Sequence, residues 1–201
     1  LESVTPLFER KKIPFARVSG AVVRDEVICP AELKWTERRC RGVAGDLESH
    51  LKILDELPIV GNTLILEDDY NITSIDAMET AVAHVPEDWE VIRFDCWWTS
   101  MEVKSWQHTV CGVPPPDDHG VFRTILVNET EGCWFCGGTH AMLVRASSME
   151  ALSRVWPRKP YYDDCDCLLA TDKIKSYCVN RGIMVKTAAE KLTDIPKENL
   201  P

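Results

Sequence analysis

Thr63-Leu64-Ile65-Leu66-Glu67-Asp68-Asp69 is a short apolar run broken, without transition, by three carboxylates. Its first half shows no apolar–polar alternation, so it reads as a strand covered on both faces whose end opens onto a polar cleft. Three adjacent carboxylates repel one another, a cost that is tolerated where oxygen ligands surround a hard cation such as Mn²⁺ or Mg²⁺. The plainer alternative is a solvated acidic turn, because loop carboxylates are mostly exposed.

Working outward, Val43, Leu47, Leu51 and Leu54 recur at the spacing of an amphipathic helix, which Pro58 stops. On the other side, Thr73-Ser74-Ile75-Asp76 resembles a capping box and predicts a helix to about residue 84, then a strand over 90–95. Further strands are expected over 121–127 and 139–145. Ser147-Ser148-Met149-Glu150 reads as a second capping box, opening a helix that ends before Pro157. Residues 163–179 read as the last long helix, and 183–186 as a closing strand. Strands alternating with helices imply an α/β fold with a mostly parallel, twisted sheet flanked by helices. The Pro-rich stretch 112–120 is expected as a surface loop.

Length and composition fit one domain: 201 residues with 45% hydrophobic content bury a core without staples. Lys and Arg total 23 against 32 Asp and Glu, a net charge of −9, which argues against nucleic acid or an anionic membrane as main partner. A divalent cation suits that balance. No apolar run approaches the roughly 18–20 residues that span a bilayer, and no basic-then-apolar leader is present in the chain. Because the chain starts at Leu1 without Met, further upstream sequence is expected. Nine cysteines and the sequons Asn71-Ile72-Thr73 and Asn128-Glu129-Thr130 point to an oxidising compartment, the endoplasmic reticulum or Golgi lumen or the exterior. An odd cysteine count leaves one thiol free or paired outside the chain.

Several stretches occur in a familiar order. Gly42-Val43-Ala44-Gly45-Asp46-Leu47-Glu48-Ser49-His50 is followed by Leu64-Ile65-Leu66-Glu67-Asp68-Asp69 and Asp88-Trp89-Glu90-Val91-Ile92-Arg93-Phe94. Then come Gly137-Gly138-Thr139-His140-Ala141-Met142-Leu143-Val144 and Tyr162-Asp163-Asp164. This order resembles glycosyltransferase family 25, the lipopolysaccharide and collagen sugar transferases. The resemblance runs from about residue 13 to 185 and rests on order and spacing; Ile13-Pro14-Phe15-Ala16-Arg17-Val18 matches the strand after that family's first helix.

The resemblance implies a single GT-A-like domain that moves a hexose, galactose or glucose, from a UDP-sugar to a hydroxyl of a saccharide or protein acceptor. It implies inversion at the anomeric carbon and dependence on Mn²⁺ or Mg²⁺. Glu67, Asp68 and His50 would then face the nucleotide, and Asp68 and Asp69 the metal. Asp163 or Asp164 would take the acceptor proton. His140 is a further metal candidate by chemistry, since imidazole suits Mn²⁺, although the family pattern does not mark it. Two features depart from the family: its opening strand and Arg-containing turn have no counterpart before Leu1, and Met142 stands where an aromatic is usual. These departures set up the alternative, a non-catalytic GT-A-like domain with protein partners in a larger assembly.

Each candidate has a structural explanation too. His50 fits a packed, hydrogen-bonded core histidine. Asp163, Asp164 and Asp166 fit the start of a helix, where negative charge offsets the dipole. Cys133-Trp134-Phe135-Cys136, with Cys165, Cys167 and Cys178, has redox or zinc spacing but fits structural disulfides or buried thiols better. Trp97, Trp98 and Trp106 suit either the core or a sugar-stacking platform. Asp117-Asp118-His119 has a metal-site composition within a loop that solvation alone explains.

Overall fold

A computed structural model describes residues 5–23, 27, 35–57, 61–95, 111–112, 119–123, 125–126, 133–134, 138–156, 169, 173–179 and 182–186. In chain order its elements are α1 (Thr5–Lys11), α2 (Glu37–Glu56), β1 (Thr63–Leu66), β2 (Tyr70–Ile72), α3 (Ile75–Val82) and β3 (Val91–Phe94). There follow β4 (Cys111–Gly112), β5 (Val121–Arg123), β6 (Ile125–Leu126), β7 (Cys133–Trp134), β8 (Ala141–Val144), α4 (Met149–Val155), β9 (Ser176–Val179) and β10 (Met184–Lys186).

The central sheet has five strands in the order β1-β8-β3-β9-β5. Only β3 and β9 run parallel; β1 with β8, β8 with β3, and β9 with β5 are antiparallel. The expectation of a mostly parallel sheet is therefore corrected to a mixed one. The alternation of helices and strands does occur, but β8 slots between β1 and β3 in the reverse direction. A two-stranded ladder of β2 and β10 and a three-stranded one of β4, β7 and β6 complete the strands.

Side-chain alternation along each strand splits the core between the two faces. On one face Leu47 and Leu51 of α2 and Leu152 of α4 pack with Ile65, Val91, Met142 and Val144. On the other, Phe8 of α1 and Ile75 and Met78 of α3 pack with Ile92, Phe94, Tyr177 and Val179. Helices thus cover both faces, an α/β arrangement. Each fully buried Leu or Ile contributes about 1.5–3 kcal/mol relative to leaving it in water.

Helix α2 extends the periodic 43–54 segment at both ends. Thr36 caps it, its Oγ1 accepting from the amide of Arg39 at 3.3 Å. Helix α3 is capped by Ser74, whose Oγ accepts from the Ala77 amide at 3.1 Å, rather than by Thr73. The Thr73 hydroxyl instead donates to the Ile183 carbonyl at 2.9 Å, tying β2 to its partner β10. At α4, Ser148 makes no side-chain cap; residues 146–148 form a 3₁₀ turn, closed by the Ser148 amide on the Arg145 carbonyl at 2.9 Å.

Two further expectations are corrected. The last long helix does not reach residue 179: Lys173 and Ile174 lie in a turn and Ser176–Val179 is strand β9, buried at all four positions. Tyr, Cys and Val suit a strand, and burial between β3 and β5 outweighs the helical pattern upstream. Residues 13–18 form no strand; they run as irregular chain, with Phe15 against Phe8 of α1. The closing strand forms as β10, but with β2 rather than in the main sheet. Of the 112–120 loop, only Gly112, His119 and Gly120 are among the described residues.

Candidate functional site

The helix that carries Asp46, Ser49 and His50 lies against the end of β1, where Glu67 begins the acidic turn. Ser49 and His50 have separate tasks. The Ser49 hydroxyl donates to the Gly45 carbonyl at 2.6 Å and accepts from the Ala21 amide at 2.8 Å, which fastens the irregular chain to the helix. The approach is close: a Cβ at Gly45 would lie 3.4 Å from the Ala21 carbonyl oxygen.

His50 is 3% exposed, with its ring edge-on to Trp156 at 5.4 Å between centroids. Its Nδ1 lies 3.0 Å from the Asp46 carbonyl oxygen and 3.2 Å from the Asp46 carboxylate. Nε2 is buried and bonds to nothing. The packed-histidine reading therefore accounts for one ring nitrogen and not the other. Burial works against the imidazolium, yet the hydrogen-bonded Asp46 carboxylate and the charge of Glu67 outweigh it, raising His50 from 6.5 to about 9.

Glu67 is moved in the same direction. Burial chiefly, then repulsion from Asp46 and Asp69, raise its carboxyl to about 7, while His50 and the hydrogen bond from Thr139 pull the other way. The Thr139 hydroxyl donates to Glu67 Oε1 at 3.1 Å, and the Glu67 amide donates to the His140 carbonyl at 2.9 Å. The start of β8 thus closes around the end of β1.

Asp46, His50 and Glu67 each offer a ligand atom within 4.8 Å of the others, and among the described residues no other trio of Asp, Glu, His or Cys does so. Two carboxylates and an imidazole form a competent divalent-cation set.

The other expected site residues are placed differently. Asp68 is exposed and Asp69 part-buried in the turn between β1 and β2; Asp69 still acts on Glu67 through its charge. Among the described residues His140 belongs to no metal-competent trio; it is buried and stacked on Tyr70, centroids 3.9 Å apart and rings within 13°. Burial lowers it to about 4, which keeps it neutral. Asp163, Asp164, Trp97, Trp98 and Trp106 lie outside the described residues. Cys133 lies in β7, Cys136 outside the described residues, and Cys40 and Cys178 are disulfide-bonded.

Asp46 was missed in the sequence, although the spacing Asp46-x-x-x-His50 on a helix was there to find it: i and i+4 share a face. Comparison of the chain with protein-family models, curated proteins and solved structures finds no match.

Proposed function

We propose that this chain is a metal-assisted transferase of the GT-A-like type, moving a hexose from a UDP-sugar to a hydroxyl acceptor with inversion. The observation that carries the reading is the concentration of carboxylates at the end of strand β1, with Glu67 held next to a buried imidazole and Asp69 beside it. Like charges in such a place are stabilised by a cation. The order of motifs from Gly42 to Asp164 supports the same reading through its resemblance to family 25.

In this proposal Asp68, the exposed carboxylate of the turn, and its neighbour Asp69 reach toward the donor, while Glu67 forms the floor. When bound, a divalent cation supplies Lewis-acid stabilisation of the charge developing on the departing nucleoside diphosphate. Thr139 fixes the orientation of Glu67 by its hydrogen bond. Asp163 or Asp164 accepts the proton of the attacking hydroxyl, an assignment that rests on the family resemblance.

The test is a calorimetric titration of UDP with and without Mn²⁺, on the native chain and on Asp69→Asn. The proposal expects affinity that depends on Mn²⁺ and is lost in the variant with the fold intact. UDP binding that ignores Mn²⁺, or no UDP binding at all, favours a non-catalytic domain.

A further inference from the structure

The carboxylate turn alone does not specify which cation it takes, and oxygen donors alone would suit Mg²⁺ or Ca²⁺. Beneath the turn the donor set changes. His50 adds nitrogen, Asp46 comes from the same face of α2 one turn earlier, and Glu67 comes from the sheet. Three features mark this as more than acidic residues in proximity. The ring is 3% exposed, its Nε2 has no hydrogen-bond partner, and Glu67 is oriented by Thr139 rather than left to rotate.

A buried nitrogen without a partner carries an uncompensated loss of solvation unless something occupies it. Trp156, edge-on to the ring, holds the imidazole in place and keeps water from that side. Nδ1 meanwhile has its own acceptor in the Asp46 carbonyl, so the ring carries the second hydrogen bond that orients metal-binding histidines in general.

We propose that Asp46, His50 and Glu67 form an inner cation site with a mixed nitrogen and oxygen donor set, which takes a first-row transition ion such as Mn²⁺ in preference to Mg²⁺ or Ca²⁺. The imidazole is the discriminating ligand. Nitrogen binds transition ions more strongly than it binds the alkaline earths, whose preference is for oxygen. The site deepens the reading above, resting on the end of β1 being a cation site, but requires neither donor nor transfer. It joins α2 to β1 through the ion.

The experiment uses the full chain stripped with chelator and given Mn²⁺ alone, without nucleotide. Electron paramagnetic resonance then counts bound ion, and Mg²⁺ serves as competitor. The expected result is bound Mn²⁺ with ¹⁴N coupling from an imidazole, and a preference over Mg²⁺ of at least about tenfold. His50→Gln and Asp46→Asn should each weaken Mn²⁺ by at least about tenfold, since even outer-shell partners of a metal are worth roughly 10–100-fold. Should the buried His50→Gln variant fail to fold, the ¹⁴N coupling and Asp46→Asn, at a part-exposed position, still decide. Bound Mn²⁺ without ¹⁴N coupling, equal affinity for Mg²⁺, or unchanged affinity in Asp46→Asn would overturn the site. Mn²⁺ held as described by a chain that ignores UDP would sink the transferase reading and leave this site standing. Mn²⁺-dependent UDP binding that survives both substitutions would do the reverse.

Discussion

Removing the Asp95 carboxylate should loosen the second ladder from the main sheet. Asp95 follows β3 at a φ of 45°, in the left-handed region, and its carboxylate accepts from the amides of Gly182 at 2.8 Å and Met184 at 2.6 Å. Its own amide donates to Val179 at 2.8 Å. Hydrogen bonds to a charged acceptor contribute about 1.5–3 kcal/mol each, and the exposed one to Gly182 belongs at the low end, so the pair is worth about 3 kcal/mol. An alanine at positive φ costs about 1 kcal/mol more. Asp95→Ala should thus lose about 4 kcal/mol, a large share of the roughly 5–15 kcal/mol of an ordinary domain. Asp95→Asn, which keeps an acceptor and tolerates the left-handed region, should lose about half as much. Asp95→Gly should be at least as stable as Asp95→Ala, because relief of about 1–2 kcal/mol of backbone strain exceeds the roughly 0.5–1 kcal/mol entropic cost of glycine. Urea unfolding measures all three, and hydrogen exchange at the 182 and 184 amides localises the loss. A deficit below about 0.5 kcal/mol in Asp95→Ala, or a glycine variant well below the alanine one, would refute the reasoning.

In chelator, stability should fall as pH rises through the cluster. Glu67 is raised from 4.5 to about 7 and His50 from 6.5 to about 9, so each stabilises the fold below its ordinary value and loses that contribution on passing its raised one. Glu67→Gln should flatten the lower part of the denaturant-midpoint profile and His50→Gln the upper; identical slopes in wild type and the double variant would contradict this. Trp156→Ala, at a position with 0% exposure, should cost about 3–5 kcal/mol by chemical denaturation. A loss under about 1 kcal/mol would show that Trp156 does not anchor the α2 face. Mass mapping without reductant should recover Cys40 and Cys178 in disulfide-linked peptides, and reduction should lower stability by about 2–4 kcal/mol per bridge; both thiols alkylating freely in native protein would contradict it.

Helix α2 was legible because its apolar residues repeat with the helical period, and strand β1 because a short unbroken apolar run ends abruptly in carboxylates; Pro58 separates the two. Strand β9 was not. Ser176–Val179 is buried throughout, so it shows no alternation, and the preceding Asp-rich stretch reads as a helix start. Strand direction was equally hidden: nothing in Ala141-Met142-Leu143-Val144 tells that Met142 will stand opposite both Ile65 and Arg93 on antiparallel neighbours. His50 and Glu67 stood out in the sequence through the family resemblance, which gives them a nucleotide-facing role; the structure groups them with Asp46. Asp46 was overlooked because its partner is a ring nitrogen one helical turn away rather than an adjacent carboxylate. The irregular path beyond residue 18 is held to α2 by the Ala21 amide on Ser49, the Lys52 ammonium on the Ser19 carbonyl and Arg41 on the Val23 carbonyl, bonds that no local pattern announces.

The place of β8 between β1 and β3 also sets a timetable for the nascent chain. Among the described residues β1 pairs in the sheet with β8 alone, Thr63 with Val144 and Leu66 with Ala141, so its apolar residues leave the ribosome long before that partner does. At roughly 5–20 residues per second the wait lasts about five to fifteen seconds. During it Thr63-Leu64-Ile65-Leu66 is an unpaired, β-prone edge of the kind that recruits other chains. Closure is then slow, because so long a loop must be brought together in one step. Thr139 arrives with β8, so Glu67 gains its hydroxyl partner only when the sheet itself closes. Synthesis arrested before residue 139 would release a chain that has every carboxylate of the acidic turn and lacks the hydroxyl that orients Glu67.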